Sequence, residues 1–297
     1  MKKITVLSGK GGVGKSTLTA SLAVLLAENK RKIVAADCDV DAPNLALVLG
    51  LRQEGSDSWK NVQTGEKAEL IPEKCTRCRK CYENCYFSAI SWEKGPVFDP
   101  LRCVGCGVCE LVCPAGAVLM RQASNAKVGM GKTKYGFSLI SGQLDIGESG
   151  SGKVVTYIKN KAEDFAEAQG ADIILADSAA GIGCPVIASI TGSDYIIAVT
   201  EPTPSALSDL KRALQVVSHF SIPAGIVINK HDINPGLTAE IERFARKKGM
   251  DILGKLPFDR KFVEAVVSMV PVVEYDKKFL KIFSEILHNL ETCSALR

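Results

Sequence analysis

The stretch "ITVLSGKGGVGKST" (residues 4–17) decides the fold. Ile4 to Leu7 is a short apolar run that predicts a buried strand, and "STLTASLAVLLAEN" (residues 16–29) predicts a helix. Between them, Gly9, Gly14, Lys15 and Ser16 fit the pattern G-x-x-x-x-G-K-[ST] in the strand–loop–helix setting that the pattern requires. Glycines let such a loop turn its backbone N–H groups toward phosphate oxygens, and the helix N-terminus adds a favourable dipole. Gly9, Lys10, Gly11, Gly12, Val13 and Gly14 are therefore candidate phosphate contacts. Lys15 is placed to reach the β- and γ-phosphates, Ser16 to ligate Mg²⁺, and Thr17 to touch the α-phosphate.

Downstream, apolar strands alternate with helical patterns. "KIVAADCDVDAPNLALVLG" (residues 32–50) predicts a second buried strand ending at Asp37, Cys38 and Asp39. "ADIILADSAAGIG" (residues 171–183) predicts a third, ending at Asp177. "SDYIIAVTEP" (residues 193–202) and "IPAGIVINKHD" (residues 222–232) predict a fourth and a fifth. Unbroken apolar strands between amphipathic helices imply a doubly wound, mainly parallel α/β sheet covered on both faces. Carboxylates at the C-terminal ends of such strands border the ligand crevice.

Two further stretches break this rhythm. "KCTRCRKCYENCYF" (residues 74–87) and "RCVGCGVCELVCPA" (residues 102–115) each hold four cysteines spaced C-x2-C-x2-C-x3-C. The repeats share the longer outline C-x2-C-x2-C-x3-C-x3-A-[IV]. Structural zinc sites favour C-x2-4-C pairs separated by a longer spacer, and disulfides are disfavoured in a reducing compartment. Tight, repeated quartets point instead to iron–sulfur ligation. Pro114 follows the last cysteine of the second run, whereas Tyr86 stands at the equivalent place in the first.

Composition bounds the rest. The 297 residues suffice for one large domain and one small one. A net charge of +4, from 37 basic and 33 acidic residues, is too balanced to argue for nucleic acid. No apolar run approaches a membrane span, and the N-terminus lacks a secretory h-region, so a cytoplasmic protein is expected. "DKKFLKIFSEILHNL" (residues 276–290) is amphipathic, but its apolar face is too wide for an interfacial helix and suits packing on the sheet. "GESGSGK" (residues 147–153) repeats part of the phosphate-loop pattern. Val154 replaces the hydroxyl, so a surface turn is expected.

With its two lysines, "KGGVGKST" (residues 10–17) resembles the deviant phosphate loop of the MinD/Mrp/nitrogenase-iron-protein ATPases. The cysteine repeats resemble a bacterial two-cluster ferredoxin. Together they resemble a MinD-superfamily P-loop ATPase at residues 1–58 and 132–297, carrying an inserted α+β ferredoxin-like 2[4Fe–4S] domain with linkers at residues 59–131. The resemblance implies that Lys10, Lys15 and Asp39 are catalytic: Lys10 reaching into the partner subunit's nucleotide, Asp39 orienting the attacking water. Asp37 and Asp41 are weaker candidates for that role. It further implies that Asp177 holds Mg²⁺ through water with Ser16, that Gly181 starts a switch loop, and that Asn229 contacts the base. Pro257 to Asp259 is expected to line the base pocket. "NKHD" (residues 229–232) also spells the guanine-reading N-K-x-D, so GTP stays open beside ATP. One cluster is expected on Cys75, Cys78, Cys81 and Cys113, the other on Cys85, Cys103, Cys106 and Cys109.

Cys184 lies seven residues after Asp177, at the separation of a cluster-ligating cysteine in the nitrogenase iron protein. The second ligand from the preceding loop is missing, so a structural or redox-sensitive thiol is the expected role. The expected cofactors are ATP or ADP, Mg²⁺ and two [4Fe–4S] clusters. The expected partners are a second copy or a paralogous subunit, together with a redox or cluster-accepting protein. Three functions remain in view: ATP-gated electron transfer, cluster assembly or carriage, and a redox-sensing positioning ATPase.

Overall fold

The computed structural model describes residues 1–51, 59–148 and 151–293. In chain order the elements are β1 (Lys2–Ser8), α1 (Lys15–Glu28), β2 (Ile33–Asp37), α2 (Leu45–Val48), β3 (Trp59–Val62), β4 (Gly65–Leu70), α3 (Lys80–Glu83), β5 (Ile90–Trp92), β6 (Pro96–Phe98), α4 (Val108–Leu111), β7 (Val118–Ala123), β8 (Ala126–Lys132) and β9 (Ser138–Leu144). There follow α5 (Ser151–Gln169), β10 (Ile173–Ala180), α6 (Cys184–Ile190), β11 (Tyr195–Thr200), α7 (Pro204–His219), β12 (Ala224–Ile228), α8 (Pro235–Lys247), β13 (Asp251–Lys255), α9 (Lys261–Val267), α10 (Val272–Tyr275) and α11 (Leu280–Thr292). Contacts divide the chain into one unit of residues 1–59, 128–143 and 151–297 and a second of residues 60–127 and 144–150.

In the first unit the sheet runs β13-β12-β11-β1-β10-β2-β9-β8. Every pairing from β13 to β9 is parallel. Along each strand the side chains alternate between two faces. Val6, Ile197 and Val227 join the core with α1 and α11, whereas Leu7, Ile196 and Ile226 pack under α6, α7 and α8. Each fully buried Leu, Ile or Phe contributes about 1.5–3 kcal/mol. α7 and α8 start where their sequences demand it. Thr203 and Asn234 accept from the backbone N–H groups of Ala206 and Leu237, and a proline occupies the first helical turn of each.

Register brings the chemistry to one edge. Val6 lies beside Asp177, and Asp177 beside Asp37, so the loop after β1 and the carboxylates closing β10 and β2 emerge at the same level. This is the crevice outside the strand carboxyl ends where doubly wound sheets hold ligands. On α11, Phe283, Ile286, Leu287 and Leu290 are buried, with Ile286 against Gly254 of β13. Among the described residues no helix is long and apolar enough to cross a membrane.

In the second unit β4 pairs antiparallel with β7, and β5 with β6. Cys81, Ile90, Cys109 and Val118 form its small core, with Leu70, Phe98, Cys85 and Cys113 packed around them. The chain rejoins the first unit at residue 128, then contributes residues 144–150 to the second. That excursion differs from the single return at residue 132 expected from the sequence, and residues 52–58 of the expected boundary lie outside the described residues. The segment from Gly147 to Lys153 starts as the surface turn expected, with Ile146 and Gly147 exposed and the Glu148 N–H donating to the Asp145 carbonyl at 3.0 Å, and only its end differs. β9 before it is a parallel strand with Leu139 to Ser141 buried, and Gly152 to Val154 already belong to α5. Ser149 and Gly150 lie outside the described residues.

Candidate nucleotide site and cysteine pockets

The phosphate loop joins β1 to α1 through Gly14, whose φ of 96° lies in the left-handed region. A side chain there would also strike the Asn229 amide. That amide donates to the Val13 carbonyl at 2.8 Å, and its oxygen accepts from the Lys230 N–H at 2.9 Å. Asn229, the expected base contact, therefore braces the loop through Val13. Lys15 is buried, with its ammonium 3.0 Å from Asp177 and 3.8 Å from Asp39. Burial alone would lower the Lys15 pKa, but the charge of Asp177 and then that of Asp39 carry it upward. The Ser16 hydroxyl donates to Asp177 Oδ2 at 2.5 Å and Thr19 to Oδ1 at 2.9 Å. A hydroxyl and a carboxylate side by side suit a hard divalent cation.

Asp37 is wholly buried, and accepts from the backbone N–H groups of Asp39 at 3.2 Å and Leu45 at 3.0 Å. Burial, with the neighbouring charge of Asp177, pushes its carboxyl up to about 8. Burial also raises Asp39, against the pull of Lys15. The carboxylates of Asp177 and Asp39 thus share the Lys15 ammonium, and a bound cation would balance the charge they carry together. Asp41 is exposed. Lys10 does not project freely: its ammonium lies 3.4 Å from Glu201, which also binds Lys230 at 2.8 Å. Burial opposes ionisation of Glu201, but Lys230 and then Lys10 hold its carboxyl below the usual range. At the expected base pocket, Asp259 accepts from Lys278 at 2.6 Å and from the Lys261 N–H at 2.9 Å, beside a half-buried Pro257. Thr17 sits in the first turn of α1, and Gly181 opens the loop after β10. Cys184 is exposed as the first residue of α6, while Cys38 is buried and its thiol pushed up to about 12 by desolvation.

The cysteines of the second unit sort into two cavities. One is lined by Cys75, Cys78, Cys81 and Cys113, the other by Cys85, Cys103, Cys106 and Cys109. Each cavity thus takes three cysteines from one repeat and the last from the other. The Ala89 and Ala117 N–H groups donate to the sulfurs of Cys85 and Cys113 at 3.3 and 3.2 Å. Burial raises the thiols of Cys81 and Cys109, the latter to about 11. The repeats also share their backbone: Arg77, Arg79 and Ser88 in the first, and Gly105, Gly107 and Gly116 in the second, all have φ between 50° and 76°. Among the described residues no three His, Cys, Asp or Glu side chains stand close enough to chelate a single metal ion. All eleven cysteines are free thiols.

The model of the CobQ/CobB/MinD/ParA nucleotide-binding domain matches residues 4–272. The chain belongs to this family. Among relatives of this MinD/ParA-type chain, an uncharacterized protein of Methanocaldococcus jannaschii is 36% identical over 234 residues, covering 78% of this chain and 79% of its own. An iron–sulfur cluster carrier protein of Pyrococcus abyssi is 27% identical and covers 97% of this chain and 85% of its own. The septum site-determining protein MinD of Pyrococcus horikoshii, solved with Mg-ADP, shares the fold with a TM-score of 0.59 at 19% identity, over 100% of this chain and 98% of that one.

Two contributors to this MinD/ParA-type site escaped the sequence reading. Thr19 stands one helical turn after Lys15 on the same face of α1, a spacing that could have flagged it. Glu201 meets Lys10 across 191 residues of chain, and nothing local marks it.

Proposed function

We propose that this MinD/ParA-type protein binds and hydrolyses ATP and holds two [4Fe–4S] clusters in a ferredoxin-like insert. ATP-driven dimerisation then gates electron transfer to a partner protein. The observation that carries this reading is the sorting of eight cysteines into two cavities in the crossed pattern of a two-cluster ferredoxin. A cubane spreads its ligands over four corners, so the quartets need not converge on one atom. Bound clusters supply one-electron transfer. The chain's own contribution is four sulfurs per cavity, N–H groups aimed at Cys85 and Cys113, and a buried floor that limits water.

In the nucleotide site Ser16 and Asp177 hold Mg²⁺, Lys15 neutralises phosphate charge, and Asp39 orients water. Lys10 exchanges Glu201 for the partner subunit's nucleotide. Asn229 and the segment from Pro257 to Asp259 face the base. ATP is favoured over GTP because the second lysine of the phosphate loop, Lys10, places the chain with the ATPases its loop resembles. The free thiols suit the cytoplasm. We assign Cys184 to a redox-sensitive thiol rather than a cluster ligand.

Anaerobically purified protein should contain about eight iron atoms and eight sulfides per chain. Cys113→Ala should remove the cluster of Cys75, Cys78 and Cys81, and leave the sequence-adjacent one. Two equivalents of zinc and no visible absorbance would return the unit to a structural role. A second reading, cluster carriage, draws on the similarity to the iron–sulfur cluster carrier protein of Pyrococcus abyssi. Each quartet here is complete, which suits retention rather than release.

A further inference from the structure

The two cysteine cavities differ in what surrounds their sulfurs. The Cys85 cavity is lined by apolar groups such as Phe87, Phe98, Val104 and Met120. The Cys75 cavity has two arginines, Arg77 and Arg79, among its lining residues. Both arginines are exposed, and so are Lys74, Lys80 and Cys78 itself. Among the described residues none of these four cations pairs with a carboxylate. The acidic residues of the same stretch, Glu73 and Glu83, are two against four. Elsewhere in the unit Lys67, Arg102 and Arg121 pair with Glu148, Asp99 and Glu69, whereas Lys60, Lys94 and Lys127 stand apart from one another along the chain. The first rim is distinguished by gathering four such cations within the stretch from Lys74 to Lys80.

The backbone supplies an independent observation. Arg77 and Arg79 have φ of 55° and 68°, and their counterparts in the second repeat are Gly105 and Gly107, at 72° and 76°. Glycine adopts this conformation freely, whereas an L side chain is strained there. The first repeat carries that strain three times, at Arg77, Arg79 and Ser88, and the two positions that line the Cys75 cavity are both arginine. Strain kept at a site points to a role for the side chain that bears it. The Arg79 guanidinium also lies over the rings of Tyr82 and Trp92, 5.7 and 5.1 Å from their centroids, which fixes its position at the rim.

We propose that the rim of Lys74, Arg77, Arg79 and Lys80 is the docking surface for an acidic one-electron carrier protein, and that the Cys75 cavity is where electrons arrive. This rests on the cluster reading given above. In the step, the reduced carrier loses one electron and the group held in the cavity gains one. No bond is made or broken, and no proton moves. The positive rim serves both events. It steers an acidic partner, and its unpaired cations stabilise the additional negative charge after transfer.

The test uses the full chain, purified anaerobically, with an acidic [2Fe–2S] ferredoxin as probe and a single-stranded oligonucleotide as the competing polyanion. Arg77→Gly/Arg79→Gly adopts the second repeat's own residues, so its thermal midpoint should stay level or rise and its iron content should hold. Its dissociation constant for the ferredoxin should increase about tenfold at low salt, with the difference lost near 1 M, where the screening length is about 3 Å. Lys74→Gln/Lys80→Gln, which changes no cavity-lining residue, should weaken binding by a similar factor. Intact iron with unchanged affinity in both variants overturns the docking surface alone, as does tighter binding of the oligonucleotide than of the ferredoxin. A wild-type protein without iron overturns the cluster reading and this proposal together.

Discussion

Replacing Glu201 by glutamine should strengthen ATP-dependent dimerisation. Lys10 is tethered within its own subunit by Glu201 at 3.4 Å, with 41% of the Lys10 side chain and 10% of that of Glu201 exposed. To reach a partner's nucleotide it must leave that carboxylate. A partly exposed pair of this kind is worth about 0.2–1 kcal/mol. Two subunits each release one, so removing the tether favours the dimer by about 0.4–2 kcal/mol, or roughly 2- to 30-fold in dissociation constant. Sedimentation equilibrium with ATP, in an Asp39→Ala background that slows hydrolysis, measures the change. Lys230→Gln is the counter-test. It removes the other claimant on Glu201 at 2.8 Å, leaves Lys10 more firmly held, and should weaken the dimer slightly. An unchanged or weaker dimer in Glu201→Gln would refute the tether, and Lys10→Ala should abolish dimerisation in either background.

Gly14→Ala places a methyl group at a φ of 96° and against the Asn229 amide that holds Val13. It should cost about 1–3 kcal/mol of stability and more than tenfold in affinity for a fluorescent ATP analogue, read by urea unfolding and anisotropy. Iodoacetamide should modify exposed Cys184 readily and leave Cys38 untouched until the protein unfolds, because Cys38 is buried and its thiol is pushed up to about 12. Peptide mass spectrometry before and after denaturation distinguishes the two.

Local motifs carried most of the first unit's description. The glycine loop, the strands ending at Asp37 and Asp177, and the parallel α/β class all follow from short segments whose residue types have few structural outcomes. The wide apolar face of the last helix likewise fits its packing on β13. Long-range relations were not legible. Glu201 is one acidic residue after a strand, and only the sheet order brings it to Lys10. Asn229 reads as a base contact from its motif, yet it also braces Val13, a bond that depends on how β12 lies beside the loop. Residues 144–150 carry no pattern that groups them with a unit beginning at residue 60. In the cysteine repeats the alignment itself set Arg77 and Arg79 opposite Gly105 and Gly107, but their left-handed backbone had to be seen.

The central claim is that nucleotide state and cluster chemistry are coupled within one chain. Low-temperature EPR during a redox titration of the anaerobic protein, with and without a non-hydrolysable ATP analogue, tests it most directly. The account predicts two [4Fe–4S] signals, at least one of which shifts its midpoint when the analogue is bound; about 60 mV for a one-electron couple would correspond to a tenfold change in equilibrium. Midpoints and line shapes that are identical in the two titrations, in protein shown to bind the analogue, would contradict it.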